Sequence, residues 1–302
     1  MSDKIRINGI HNFKRNKNLY LMMLPFMLLF FTFTILPVLT AIVLSFTNFN
    51  VLQLPTFIGF DNYKKLLLND SIFVMAIKNT FIIAVITGPI GYILSFLMAW
   101  LINELPRKIR SVLAIIFFAP SISGNVYMIF TLVFSSDPYG YLNAKLLNWG
   151  FISSAILWLQ DPKYMVPIII IVSLWMSLGI GFLGFIAGLQ TIDKTQYEAG
   201  EVDGITNRWQ ELWFITLPNM KPQLMFGAIM AITSSLSVGD ITTALCGFPS
   251  TNYAAHTIVN HLNDYGSIRM EMGYASSIAV MLFIIMQVSN RLVQKFIRRV
   301  GS

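Results

Sequence analysis

YEAGEVDGITNRWQELWFITLP, residues 197–218, is a polar strip in a chain that is otherwise mostly apolar. It carries Glu198, Glu201, Asp203, Arg208 and Glu211, and it reads as two short helices around a glycine. Just upstream, Asp193 followed three residues later by Gln196 has the pattern of a capping box, and Gly204 is placed to end the helix so begun. Thr206 or Asn207 then caps a second helix, in which Trp209, Leu212, Trp213 and Thr216 share a face. Leu217–Pro218 is expected to end that helix, because the residue before a proline avoids the helical region. The strip is thus an amphipathic helix–turn–helix. Physics alone leaves it either lying on lipid headgroups or serving as a docking element, and its acidic first turns argue against anionic lipid.

The flanks of the strip decide the fold class. Of 302 residues, 55% are hydrophobic and 12% are charged, about half the charge of a soluble domain. The net charge of +7 sits in short basic clusters between apolar runs, which suits membrane topology better than a nucleic-acid-binding face. One cysteine, Cys246, leaves no intrachain disulfide framework. Lys4, Arg6, Lys14, Arg15 and Lys17 precede an apolar stretch that runs from Leu19 to Phe46. That is far longer than the ~7–15 residues of a signal-peptide core, so the stretch is expected to be an uncleaved first span.

Six segments reach the roughly 20 apolar residues that a spanning helix requires: about 19–46, 75–102, 110–134, 166–189, 222–246 and 274–296. The expected organisation is a 1–18 tail, a 19–296 transmembrane domain with a 193–218 loop, and a 297–302 tail. Fifteen of the 21 Lys and Arg residues fall in the N-terminal tail, the 103–110 and 190–221 loops and the C-terminal end. Five fall in the other three loops, and Lys78 lies near the start of the second span. Both termini and the strip are therefore expected on the cytoplasmic side.

Several motifs invite chemistry and fail. Gly179-Ile-Gly-Phe-Leu-Gly184 matches a dinucleotide fingerprint, but it lies within a bilayer-length apolar segment and not at a strand-to-helix turn. Ser177, Gly181, Gly184 and Gly188 instead make a stripe of small residues suited to close helix packing. No G-x-x-x-x-G-K-[ST] occurs, so the chain has no P-loop for ATP. His256 and His261 are five apart with no cysteine to complete a zinc set, and TSSLSVGD (233–240) has no partnering base. Nothing here points to an enzyme or a metal site. Asp240 is the acidic side chain well inside a predicted span. With Thr233, Ser237 and Ala244 it forms a stripe along the fifth helix. It either walls a hydrophilic pathway or sits near the outer interface, capping loop backbone or pairing with Arg269.

The strip also resembles the EAA loop of permease subunits from binding-protein-dependent ABC importers: Glu-Ala-Ala, Asp-Gly, then Ile-x-Leu-Pro. The matching residues are Glu198-Ala199-Gly200, Asp203-Gly204 and Ile215-Thr216-Leu217-Pro218. GFDNYKKLL (59–67), Asn79-Thr80, YGYLN (139–143), Asp161-Pro162, Trp175, GLQ (188–190) and GYAS (273–276) extend the likeness along the chain, nearest the maltose-type carbohydrate permeases. The resemblance implies an all-α polytopic membrane protein of the MetI-like, type I importer class, with six transmembrane helices and a cytoplasmic coupling helix pair. It implies that Glu198, Ala199, Gly200, Asp203, Gly204, Leu217 and Pro218 couple the chain to a separate ATPase. The implied partners are a second homologous permease, two cytoplasmic ATPases that hold the ATP and Mg, and an extracellular lipid-anchored solute-binding protein. This chain itself binds no cofactor. The implied solute is a carbohydrate, first an oligosaccharide, with Asn125, Tyr127, Trp175, Thr233, Ser237 and Asp240 as pathway candidates in a bacterial plasma membrane.

Three departures stand out. Gly200 replaces an alanine, which should loosen its helix by about 1 kcal/mol. One extra residue lies between Gly204 and Leu217-Pro218 and is expected to rotate the second helix. CGFPSTNY (246–253) is unlike the usual sugar-permease wording. The rival readings are a secondary transporter or channel subunit, an importer permease for a non-sugar solute, and a membrane enzyme.

Overall fold

The computed structural model describes residues 17–124 and 126–299. The expected tails 1–18 and 297–302 therefore lie largely outside the described residues, and Asn125 lies wholly outside them. Apart from two-residue strands β1 (Thr47–Asn48) and β2 (Thr56–Phe57), paired antiparallel, the described chain is helical.

Four helical segments are long and apolar enough to cross a membrane: α1 (Asn18–Leu44), α2 (Ser71–Asn103), the stretch Pro162–Thr191 and the apolar part of the last helix, Met272–Lys295. The third comprises α6 (Pro162–Trp175) and α7 (Ile180–Thr191). Two further spans are bent pairs: α3 (Arg107–Ile122) with α4 (Tyr127–Val133), and α10 (Lys221–Leu236) with α11 (Asp240–Cys246), the latter bent by 40°. Counting each pair once gives six. Between them lie α5 (Tyr141–Asn148), α8 (Lys194–Val202), α9 (Arg208–Glu211) and α12 (Ile258–Asn263), and α13 (Met272–Arg299) closes the chain.

The expectation of unbroken helices over 110–134 and 222–246 is corrected here. In the second pair the break has a local cause. A Cβ on Gly239 would stand 2.5 Å from Val259 Cγ1, so α12 approaches the chain more closely than a side chain permits. Ser177 also lies before α7 begins. The small-residue stripe is therefore the three glycines of α7, which seat Gly227, Phe226 and Gln223 of α10.

At the centre stands α2, whose start is capped by Asp70 Oδ1 accepting from the Phe73 N–H at 2.9 Å. It packs against α6, α7 and α10, and α13 packs on α10. Phe96, Ala99, Phe182, Phe185, Leu189, Leu212 and Met220 form the core at the strip end of α2. Leu66, Phe73, Ile258, Tyr274 and Ile278 form a core at its other end. From Asn18 to Thr40 every residue of α1 is exposed, and only its second half packs, on α13.

Prolines are accommodated by a repeated device. Phe31–Ile35 and Leu212–Thr216 are π-type turns, each ending two residues before a proline, Pro37 and Pro218. The Leu36 and Leu217 N–H groups donate to the carbonyls of Phe31 and Leu212. Widening the turn moves aside the i−4 carbonyl that the proline ring would strike, and the proline then sits in the first turn of the next segment, where no N–H is needed.

Candidate functional site

The strip folds as a fixed knuckle. Asp193 Oδ1 accepts from the Thr195 N–H at 3.1 Å and starts α8. Gln196 does not reciprocate; its Oε1 accepts from Asn219 Nδ2 at 2.6 Å instead. The helix ends in a Schellman motif: the Ile205 N–H donates to the Gly200 carbonyl at 2.9 Å, the Gly204 N–H to the Glu201 carbonyl at 3.2 Å, and Gly204 has φ +92°. Asn207, not Thr206, caps α9, with Oδ1 accepting from the Gln210 N–H at 2.9 Å. The two halves are tied by a 3.0 Å hydrogen bond between the Tyr197 and Thr216 hydroxyls.

Three expectations for the strip change. Gly200 does not loosen α8 idly. It is buried, and a Cβ there would lie 2.6 Å from Ile215 Cδ1 and 3.1 Å from Ile205 Cδ1, so its bare face is where the second half docks. The second half of the strip contains a π-type turn, Leu212–Thr216, whose ring closed to i−5 holds one residue more than an α-turn. That turn also selects a different buried face, Leu212, Ile215 and Thr216, and leaves Trp209 and Trp213 exposed. Leu217–Pro218 does not end the helix either; helical geometry continues to Asn219.

The knuckle is fastened to the end of α2. Trp209 packs against Trp100 with ring centroids 5.4 Å apart. Arg208 bridges Glu104 at 3.0 Å and Glu211 at 2.8 Å, which holds its guanidinium pKa above the ordinary value, first through the Glu211 hydrogen bond and then through the Glu104 charge. Glu198, Ala199, Val202, Asp203, Gly204 and Pro218 remain exposed, and Leu217 is half-buried. The knuckle thus presents a carboxylate, a small apolar ridge and a sharp turn on a rigid base.

A second feature lies within the bundle. A partly open cavity of about 410 Å³ lies among α2, α3, α6, α7 and α10 and is lined by Thr87, Ser95, Ser121, Ser173, Ser177 and Ser234 among apolar side chains. Three chain breaks border it: Ser121 and Ile122 end α3, Met176 to Gly179 separate α6 from α7, and Val238 separates α10 from α11. Irregular backbone at membrane depth is tolerated where it lines a polar cavity or is buried in protein. Ser173 Oγ and Ser177 Oγ are buried without a partner.

Residues 91–302 match the family described as "Binding-protein-dependent transport system inner membrane component". The chain is a member of this permease family. The permease is 32% identical over 225 residues to the lactose transport system permease protein LacF of Rhizobium radiobacter, covering 74% of each chain. It is 28% identical over 268 residues to the arabinooligosaccharides transport system permease protein AraP of Halalkalibacterium halodurans, covering 88% of this chain and 83% of that one. A chain of the bacterial alginate ABC transporter, solved in complex with alginate pentasaccharide-bound periplasmic protein, superposes with a TM-score of 0.78 at 25% identity. That superposition covers 98% of the permease and 99% of that chain.

The permease does not gather its expected pathway residues in the cavity. Thr233, Ser237 and Asp240 are exposed along one side of α10–α11, next to the cavity-lining Ser234 and Ser235. Asp240 does not pair with Arg269, whose guanidinium meets Asp264 at 2.6 Å. Tyr127 packs at the start of α4, and Trp175 sets its edge on Phe130 at 5.1 Å. The serines that do line the cavity were legible as Thr87, Gly91 and Ser95 at i, i+4 and i+8, and as Ser173 and Ser177 at i and i+4.

At the far end of α2 from the knuckle, α12 is buried in a polar network. His261 Nε2 meets Asp70 Oδ2 at 3.0 Å, His256 Nε2 meets His261 Nδ1 at 3.1 Å, and the Tyr274 hydroxyl donates to Asp70 Oδ2 at 2.8 Å. Burial pushes the His256 pKa down to about 4, assisted by the neighbouring His261. Burial also lowers His261, against the pull of Asp70. Burial alone would raise Asp70, but the Phe73 N–H, the Tyr274 hydroxyl and His261 together hold it below its ordinary value.

Proposed function

We propose that this permease forms half of the translocation pathway of an ATP-driven importer for a carbohydrate, an oligosaccharide in the first instance. The observation that carries this reading is the cavity lined by serine and threonine residues and bordered by three helix breaks. Neutral hydroxyl donors and acceptors among apolar walls suit a polyhydroxylated, uncharged solute, which hydrogen-bonds through its rim and packs through its faces. The named relatives carry lactose and arabinooligosaccharides, in keeping with this chemistry. Thr233, Ser237, Asp240, Trp175, Tyr127 and Asn125 remain candidates for the substrate pathway.

The knuckle supplies the drive. In this reading Glu198, Ala199, Asp203 and Gly204 enter a groove on a separate cytoplasmic ATPase, while Gly200, Leu217 and Pro218 keep the knuckle rigid. In this reading both termini are cytoplasmic, the side that the lysine and arginine distribution favours. A homologous permease, two ATPases holding ATP and Mg, and a lipid-anchored binding protein complete the machine. ATP binding and hydrolysis on the ATPases, transmitted by the Trp100–Trp209 and Glu104–Arg208 ties, would move α2 against the cavity.

The test is solute uptake into proteoliposomes that carry the full assembly. Uptake is expected to require ATP, to ignore ionophores, and to be lost with ATP hydrolysis retained in Glu198→Ala, whose exposed side chain leaves melting unchanged. Ionophore-sensitive uptake without ATP would instead establish a secondary transporter.

A further inference from the structure

We infer that Thr257 and Asn260 of the α12 region are positioning residues that hold the α10/α11 break in the shape that walls the cavity. The inference rests on the pathway reading above. A break in a spanning helix frees backbone carbonyls, and these require donors where water is scarce. The Val238 carbonyl lies in the break, 2.6 Å from Thr257 Oγ1, whose single hydrogen it shares with Asn260 Oδ1, also at 2.6 Å. The Gly239 carbonyl keeps its helical partner, the Thr243 N–H at 3.0 Å, and also accepts from Asn260 Nδ2 at 3.2 Å and from Thr242 Oγ1 at 2.6 Å. Asn260 Nδ2 also donates to Thr243 Oγ1 at 2.8 Å. Thr257 and Asn260 form a reciprocal capping box with each other, and both are essentially fully buried. Val238 and Ile241, on either side of Gly239, line the cavity.

The same element is anchored to α2. The Ile258 N–H donates to Thr80 Oγ1 at 3.0 Å, and Asn79 Nδ2 donates to the Ala254 and His256 carbonyls at 2.9 and 3.0 Å. His261 reaches Asp70 at the head of the same helix. The bracket therefore joins two cavity walls, α2 and the broken span, from outside the cavity. Thr257 gives the Val238 carbonyl a donor in the break, and Asn260 adds a second bond to the Gly239 carbonyl. The two residues touch no solute in this geometry; they set where Val238 and Ile241 stand.

The experiment uses the full chain in membranes with Cys246→Ser, and single cysteines at Ile241 beyond the break or at Ser234 before it. Both are labelled with a small water-soluble thiol reagent. Thr257→Val, which keeps shape but removes the donor, is expected to raise labelling at Ile241→Cys about tenfold, the factor set by one lost buried hydrogen bond. Labelling at Ser234→Cys should be unchanged, and Thr257→Ser should restore the original rate. Equal rises at both positions would reduce the bracket to a general stabiliser and overturn the inference, as would no rise at Ile241→Cys. If Thr257→Val does not accumulate, Asn260→Asp, which removes the amide donors, is read by the same criteria. Uptake that proves independent of ATP would overturn the importer reading and leave the labelling pattern standing.

Discussion

Replacing Gly204 with valine isolates the turn of the knuckle from everything around it. No atom lies within 4 Å of a Cβ at this position, so the substitution meets no steric neighbour and its cost comes from the backbone. An L-residue held in the left-handed region costs ~1–2 kcal/mol, and at φ +92° a β-branched residue should sit at the upper end. That cost corresponds to a roughly 5–30-fold loss in the population of the native turn. The Tyr197–Thr216 and Gln196–Asn219 hydrogen bonds still join the two halves, so the bundle should assemble normally while the angle of α8 relaxes. The assay is ATP hydrolysed per solute imported in reconstituted importer, with hydrogen exchange followed over residues 194–219. Gly204→Val should raise the ATP-to-solute ratio several-fold and speed exchange in α8 alone. Asn, which tolerates positive φ, should do so less. A Gly204→Val importer with the original ratio and accelerated exchange would refute the coupling role. Unchanged exchange would refute the backbone argument itself.

Close packing between α7 and α10 makes a second prediction. A Cβ on Gly227 would fall 2.2 Å from Phe185 Cζ, and Phe185 is fully buried, so Gly227→Ala should cost about 1–3 kcal/mol of stability. The check is thermal melting in detergent, where an unchanged Tm would contradict the packing. A third concerns pH. His256 is held neutral when folded, with its pKa moved from 6.5 to about 4, so the unfolded chain takes up a proton first as pH falls. Stability is thus fully present above pH 6.5, declines toward pH 4 and loses nothing further from this group below that. Between pH 7 and pH 5 the loss should be about 2 kcal/mol. Lowered Asp70 adds its own loss only below its ordinary value of 3.8. Melting of wild type and His256→Gln across this range is the measurement, and parallel curves would remove His256 as the cause.

Much of this architecture is legible in the chain itself because bilayer length and basic-residue placement are strong, local constraints. The apolar runs at 19–46, 75–102 and 274–296 correspond to continuous helices, and Asp193, Gly204 and Asn207 punctuate the knuckle where their side chains and backbone freedom demand. The breaks were not legible. Ser237 and Gly239 look tolerable inside an apolar helix, and the neighbour that Gly239 accommodates there, Val259, lies twenty residues on. The buried face of α9 was misread for a related reason. A 3.6-residue period was applied across Leu212–Thr216, where the turn is wider, so Trp209 and Trp213 were placed on one face with Leu212 and Thr216. Asp240 drew attention as a charge within a span, yet the cavity is polar through serines, whose small hydroxyls barely register against apolar neighbours in one dimension.

Because Leu212–Thr216 is a wide turn that closes on the fifth residue back, it holds one residue more than a regular turn would. In a regular helix one residue more or less swings everything beyond it through some 100°. Removing one residue from the wide turn should instead disturb the protein through the proline ring, not through misaligned spans, so that a compensating Pro218→Ala would be the natural companion of such a deletion.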